Sequence, residues 1–310
     1  MDLIKVSIII PTFNRAHFLG ETLDSIIAQT FTDWECIVVD DGSTDYTNEL
    51  MDFYCKKDKR IHFHHRPANR CKGANACRNK GLSLSMGEFI IFFDSDDLMT
   101  KNHVAHKYGA LLVRNVDYVI AKTKYFNTDL KDEFYNFSSE EINCHNYITQ
   151  KVNWLTYDVL IKAGLAKSIR FNEKLQSGQE FNYFSKLTSI NSNAILINAY
   201  LTLRRYHKNS IRGPLRKNKN LLLKSRYNSH WHTYLDLKDS LELRTRQYLI
   251  LKCINFYFDF SNYYNYFNIP FLNAVCKEFG FKRAGNYLMA TLVNATLGKG
   301  YFFVKRARSK

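Results

Sequence analysis

Asp94 and Asp96 stand one residue apart in the run Asp94-Ser95-Asp96-Asp97, so in a turn both carboxylates can face one ligand. Carboxylates beside a phosphate need a hard divalent cation between them, and Mg²⁺ or Mn²⁺ takes such oxygen ligands. The plainer alternative is an acidic turn, in which Asp and Ser bond locally to the backbone. Position favours chemistry, because the run closes the purely apolar stretch Phe89-Ile90-Ile91-Phe92-Phe93. A second acidic run, Asp40-Asp41-Gly42-Ser43, ends another apolar stretch, Cys36-Ile37-Val38-Val39. It lacks the Gly-x-Gly-x-x-Gly spacing of a dinucleotide loop and the glycine-rich frame of a P-loop. A carboxylate such as Asp41 can instead accept hydrogen bonds from a nucleobase imide or a ribose hydroxyl. Ser43, Thr44 and Asp45 suit the cap of a following helix.

These runs need a scaffold that brings strand ends together. Val6–Ile10 is a β-branched run closed by Pro11, and Ile61-His62-Phe63 is a third short strand. Helical spacing of apolar residues marks 15–29, 46–57 and 74–86. The alternation βαβαβαβ, with crossovers of this length, requires parallel strands in an open, twisted α/β sheet. Ligands bind such sheets outside the carboxyl ends of the strands. Three polar clusters fall at those ends: 11–15, 40–45 and 94–97. From 100 to 200 the pattern weakens to a helix over 101–114 and strands over 117–126 and 195–206. After Gly213-Pro214 the chain becomes rich in Leu, Tyr and Lys/Arg at helical spacing, which predicts a boundary near 213. His62, His64 and His65 read as decoration of an edge strand.

The 310 residues carry a net charge of +15, with 45% hydrophobic and 15% aromatic side chains, which excludes a disordered chain. The charge is uneven. Residues 1–98 hold 11 basic and 15 acidic side chains, net −4, and residues 99–200 are net +3. Residues 201–310 hold 21 basic and 5 acidic side chains, net +16. No window approaches the roughly 18 apolar residues of a membrane span. Nor does the opening Met-Asp-Leu-Ile-Lys-Val have the layout of a signal peptide. The seven cysteines form no C-x-x-C pair, so a reducing cytoplasm is expected.

Five ordered blocks carry a resemblance. They are Val6–Arg15, Gln29–Glu35, Val39–Asp45, Gly73-Ala74-Asn75-Ala76-Cys77-Arg78-Asn79-Lys80-Gly81 and Gly87–Asp97. In order and spacing the chain resembles family 2 glycosyltransferases, closely over the first hundred residues and loosely over the next. The resemblance implies a GT-A fold: a mostly parallel twisted sheet flanked by helices, here with a mainly helical, basic C-terminal extension. It also implies an inverting transfer and a nucleotide-sugar donor, with UDP the expected nucleotide and Mn²⁺ or Mg²⁺ the expected cofactor. By the same resemblance Pro11, Thr12 and Phe13 line the base pocket and Asp41 bonds the base. Asp94 and Ser95 sit near the ribose, and Asp96 ligates the metal with Asp94. Arg78 either touches the donor phosphates or braces the aspartate loops; Cys77 departs from the usual Ala.

The resemblance places the catalytic base in a Glu-Asp pair that opens a helix after a short loop, and the matching stretch here is Leu175-Gln176-Ser177-Gly178-Gln179-Glu180-Phe181. Gln-Glu replaces Glu-Asp, which makes Glu180 the candidate; otherwise Glu180 merely favours a helix N-terminus. Arg204 and His207 resemble the family's late Arg-x-x-His element, and the resemblance implies contact with the diphosphate or, for His207, completion of the metal shell.

The implied enzyme transfers a hexosyl or N-acetylhexosaminyl group to a glycan or lipid-linked acceptor in cell-surface polysaccharide synthesis. The implied domains are a nucleotide-sugar domain over 1–213 and a basic helical region over 214–310. The opposing reading is a non-catalytic nucleotide-sugar or polyanion-binding protein that lost its base at Gln179-Glu180. The charge of 201–310 fits an anionic membrane surface, at the inner face of the cytoplasmic membrane, as well as a solvated basic face. Nucleic acid ranks behind both, since no RNA-binding motif accompanies the aromatic residues.

Overall fold

The computed structural model describes residues 4–128, 135, 141–207, 218–259, 268–297 (backbone only for 294–297) and 301–308. The chain divides into two compact units, residues 1–208 and 209–310. Position 213, the expected boundary, lies outside the described residues, as do 260–267.

In the first unit, β1 (Val6–Thr12) pairs in parallel with β2 (Trp34–Asp40) and β4 (Phe89–Phe92), and β2 pairs in parallel with β3 (Ile61–His65). The helices α1 (Ala16–Ile27), α2 (Thr47–Lys57) and α3 (Ala74–Leu84) make the crossovers. Every residue of β1, β2 and β4 is buried, as expected of strands covered on both faces. Side chains alternate between the two cores: Ile8, Ile10, Ile91 and Phe93 pack in one, and Ile9, Ile90 and Phe92 in the other. Gly81 lets α3 approach β1, since a Cβ there would stand 2.4 Å from Cγ2 of Ile9. The histidine-bearing β3 is an edge strand, as expected.

The parallel expectation holds from β3 to β4, and beyond β4 the sheet is mixed. The full order is β3-β2-β1-β4-β7-β6-β8-β5, with β5 Leu98–Met99, β6 Tyr118–Tyr125, β7 Val159–Lys162 and β8 Ala194–Arg204. β7 runs antiparallel to β4 and β6, β8 is parallel to β6, and β5 is antiparallel to β8. Strand β5 follows Asp97 directly yet pairs with the end of β8, Leu98 opposite Leu203. This pairing carries the chain following β8 onto the acidic loop. Helix α4 (His103–Arg114) covers one face, and α5 (Cys144–Ile148), α6 (Ala163–Lys167) and α7 (Gln179–Ile190) follow in the chain.

The second unit is helical: α8 (Lys219–Leu237), α9 (Leu243–Asp259), α10 (Ile269–Phe279), α11 (Phe281–Leu297) and α12 (Tyr301–Arg308). Asn218 and Asn268 cap α8 and α10 through their side chains, accepting from Leu221 and Phe271 amides. Its packing is aromatic, with Tyr227, Tyr257, Phe271 and Tyr287 in ring contact. Buried Glu278 accepts from Tyr234 Oη at 2.9 Å and from Arg246 Nε at 2.9 Å, so the inner carboxylate is paired. Among the described residues no helix is long and apolar enough to cross a membrane.

Candidate active site

The loops after β1 and β2 are tied to each other before any ligand arrives. Asp40 accepts from the amides of Gly42 and Ser43 at 2.9 Å each, and Ser43 Oγ accepts from the Asn14 amide at 2.8 Å. Asn14 in turn accepts from the Thr44 amide at 2.8 Å. Asp45 accepts from the amides of Thr47 and Ala16, so it serves the starts of both α2 and α1. Asp40 and Asp45 therefore spend their charge on the backbone. Asp41 is nearly buried and pairs with Arg66 Nε. Beside it Thr12 is buried, its Oγ1 without a hydrogen-bond partner, while Pro11 is buried and Phe13 is exposed. The three expected base-pocket residues thus lie together at the end of β1, next to Asp41, whose amide donates to the Thr12 carbonyl at 2.9 Å.

The acidic loop is clamped from three sides. Thr22 Oγ1 on α1 donates to the Asp97 carbonyl at 2.8 Å and to that of Ser95 at 3.2 Å. Arg205, just past β8, donates from its amide to Asp97 Oδ1 at 2.8 Å and from Nε to the Asp96 carbonyl at 3.1 Å. His207 Nε2 lies 2.9 Å from Asp96 Oδ2, and Arg15 Nε lies 3.6 Å from the same oxygen. Burial opposes the charged form of Asp96. The His207 hydrogen bond and charge, with Arg15 and Arg204, outweigh burial and hold this carboxyl below its usual value. Asp97 has the opposite fate. Burial, then the charges of Asp96 and Asp94, push it well above the usual range. Asp94 is also raised, by burial and by Asp96 and Glu180 against the pull of Arg78. Three carboxylates in four residues are thereby given different protonation tendencies.

Helix α3 joins this loop to α7. Asn75 Nδ2 donates to the carbonyls of Asn172 and Leu175, and Asn79 bonds both the amide and the carbonyl of Phe171. These contacts dock the segment leading into α7. Arg78, one helical turn from Asn75, donates from Nη2 to Asp94 at 2.8 Å and from Nη1 to Gln179 Oε1 at 2.7 Å. Arg78 therefore braces the acidic loop against the first residue of α7. Gly178 caps α7 in the left-handed region at φ 68°, a conformation glycine adopts without Cβ strain, and α7 opens at Gln179 as expected. Glu180 sits half-buried in the first turn, with Thr156 Oγ1 3.4 Å from its Oε2. Its charge is felt at Asp94 and at Arg204.

Among the described residues no group of three or more His, Cys, Asp and Glu side chains forms a ready metal cage. The donor set nevertheless suits a cation completed by a substrate. A divalent ion at a phosphate takes one or two protein carboxylates and draws its other ligands from phosphate and water. Asp96 and His207 are held together, Asp94 stands two residues before Asp96 on the same loop, and His207 Nδ1 is buried without a hydrogen-bond partner. Ser95 is buried. Spacing and residue type alone assign no role to Arg15, Arg66, Asp97 or Arg205. Arg15 and Asp97 lie inside the resemblance blocks, and a third acid in the loop was a usable signal; Arg66 and Arg205 gave none, because their partners are remote in sequence.

A family model described as Glycosyl transferase family 2 matches residues 7–173, more than half of the chain. The chain belongs to glycosyl transferase family 2. Among relatives of this family 2 chain, GlyG of Streptococcus pneumoniae serotype 4, named a glycosyltransferase, is 31% identical over 144 residues, 46% of this chain and 44% of GlyG. WfgD of Escherichia coli is named a UDP-Glc:alpha-D-GlcNAc-diphosphoundecaprenol beta-1,3-glucosyltransferase. It is 31% identical over 130 residues, 42% of this chain and 49% of WfgD. An uncharacterized glycosyltransferase of Rickettsia felis is 30% identical over 191 residues, 61% of this chain but only 31% of that protein. The chain thus spans about a third of the length of such relatives.

Among solved structures, S. aureus TarS 1-349 in complex with UDP-GlcNAc aligns with TM-score 0.66 and 18% identity, covering 98% of this chain and 89% of that one. The mannosyltransferase PcManGT of Pyrobaculum calidifontis, in complex with GDP-Man and Mn²⁺, aligns with TM-score 0.59 and 16% identity over 98% and 84%. At such identities the likeness is one of fold, and the fold is GT-A.

Proposed function

We propose that this chain is an inverting glycosyltransferase. It moves a hexosyl or N-acetylhexosaminyl group from a nucleotide-sugar, a UDP-sugar first, to a hydroxyl of a glycan or lipid-linked acceptor in cell-surface polysaccharide synthesis. The observation that carries the reading is the joining of three distant segments, 94–97, 179–180 and 204–207, through Arg78–Asp94, Arg78–Gln179 and Asp96–His207. Cytoplasmic working, with an anionic membrane surface against the basic C-terminal region, belongs to the same reading.

Pro11, Thr12, Phe13 and Asp41 bind the base, with Thr12 Oγ1 the polar atom still lacking a partner. Asp94 and Ser95 lie toward the ribose, and Arg78 holds Asp94 in place. Asp96, with Asp94 and His207, would hold Mn²⁺ or Mg²⁺. Such an ion neutralises charge on the leaving diphosphate. Inversion is a single in-line displacement: the acceptor oxygen bonds the anomeric carbon as the bond from that carbon to the phosphate oxygen breaks. The nucleoside diphosphate leaves with the electron pair. The acceptor's proton passes to the Glu180 carboxylate, a role worth about 10²–10⁴ in rate. Arg204 and His207 face the departing negative charge.

The test is transfer and hydrolysis of UDP-sugars with Mn²⁺ by the wild type, Asp96→Ala and Glu180→Gln, alongside donor binding followed by thermal shift. Glu180→Gln is expected to bind donor and fail to transfer, and Asp96→Ala to lose metal-dependent donor binding. Equal activity in all three proteins sinks these roles. Donor binding without any transfer by the wild type supports instead a binding protein whose Gln179-Glu180 pair no longer acts as a base.

A further inference from the structure

We infer that α11 and α12 form a docking face for an anionic lipid surface, with an apolar stripe entering the headgroup layer and cations around it. This deepens the partner side of the reading above.

On α11, Phe281, Gly285, Met289 and Leu292 recur at spacings of four, four and three, so they share one helix face. That face is open: Phe281 is 87% exposed, Met289 41% and Leu292 51%. The opposite face, with Ala284, Tyr287 and Ala290, is buried in the helical unit. A surface helix of a soluble protein ordinarily places charge where these apolar residues stand. Helix α12 packs on α11 and α9. It buries Ala307 and exposes Tyr301 (80%), Phe302 (57%), Lys305 and Arg306, again neighbours on one face. The Arg306 guanidinium lies 4.1 Å from the centre of the Phe302 ring.

Charge selects the occupant. Glu278 is the last acidic residue of the chain and is buried; seven Lys and Arg residues follow it. A second copy would set the same cations face to face, a costly arrangement. A nucleic acid or an acidic glycan would satisfy the cations yet leave Phe281, Met289 and Leu292 in water. Anionic headgroups over acyl chains satisfy both, as with amphipathic helices that lie in the interface plane.

The experiment is co-sedimentation of the whole chain with vesicles of phosphatidylglycerol and phosphatidylcholine, against vesicles of phosphatidylcholine alone, at low and high salt. The wild type is expected to pellet with the anionic vesicles only, and to be released by salt. Lys305→Glu combined with Arg306→Glu should weaken partitioning at least about 25-fold, since each lost cation is worth about fivefold. Phe281→Ser combined with Leu292→Ser should weaken it at least about tenfold by removing inserted apolar area. Both double variants should keep the wild-type melting temperature, because the replaced side chains are exposed. The inference is overturned by absent binding, by equal binding to phosphatidylcholine, or by binding unchanged in either double variant. A wild-type dimer dissolved by the apolar double variant also overturns it, since a second copy would then cover the stripe. Sugar transfer is not the readout, so failure here leaves the catalytic reading standing, and failure of transfer leaves this one standing.

Discussion

In residues 1–208 polar and charged groups meet across segments far apart in the chain: Arg78 with Asp94 and Gln179, His207 with Asp96, and the backbone amide of Arg205 with Asp97. Among the described residues of 209–310 the packing is aromatic and buried Glu278 is paired with Tyr234 and Arg246, while the sequence of this unit carries an excess of cations. The first unit uses tertiary structure to place a few charges to within hydrogen-bond distance. The second uses composition to set the sign of a surface. A single misplaced group should therefore matter greatly in the first and little in the second.

The sharpest way to break that contrast is Glu180→Gln. Its transfer rate is expected to fall by about 10²–10⁴ with donor affinity retained, measured by single-turnover transfer and by equilibrium binding. Arg78→Met comes next. It strands Asp94 and Gln179, and should cost about 1–3 kcal/mol of stability in chemical denaturation, with transfer falling more than donor binding. Gly81→Ala tests the packing that carries Arg78, because the added carbon would press on Ile9. A loss of about 1–3 kcal/mol is expected from overpacking.

A pH-dependent effect concerns Lys107, buried in α4, whose Nζ donates to His103 Nε2 and to the Tyr157 carbonyl at 2.8 Å each. Burial, against the charge of Asp158, draws this amine down from 10.5 to about 7. From about pH 7 to 10.5 the unfolded chain keeps a proton that the folded chain has lost. Stability from this group therefore rises with pH through that window, by at most about 1.4 kcal/mol per pH unit, and is flat below it. Lys107→Met should remove the slope, seen by denaturation at pH 7 and pH 9. The smallest effect belongs to the second unit. Lys305→Gln should change stability by less than about 0.5 kcal/mol and leave transfer to a soluble acceptor unchanged.

Much of the first unit was legible because its signals are local. A buried parallel strand announces itself as an apolar run, and a polar cluster at its end announces a ligand edge, so β1, β2 and β4 and their loops could be read directly. Beyond β4 the signals become long-range. The short β7, running antiparallel between β4 and β6, carries no pattern that tells its direction. The two residues of β5 take their meaning only from β8. The roles of Arg66 and Arg205 are hidden for the same reason, because a salt bridge or hydrogen bond between distant residues leaves no trace in spacing.

Sequence alone determined the family blocks, the candidate carboxylates and the split between an acidic front and a basic end, since residue type and near-neighbour spacing suffice for each. Tertiary structure decided what each charge does. It gave Asp40 and Asp45 to the backbone, paired Asp41 with Arg66, lowered Asp96 beside His207 and raised Asp97. It also made Arg78 a brace between Asp94 and α7, and left one face of α11 apolar and open. The reason is physical: a carboxylate's charge depends on burial and on partners within a few ångströms, and only folding brings those partners together.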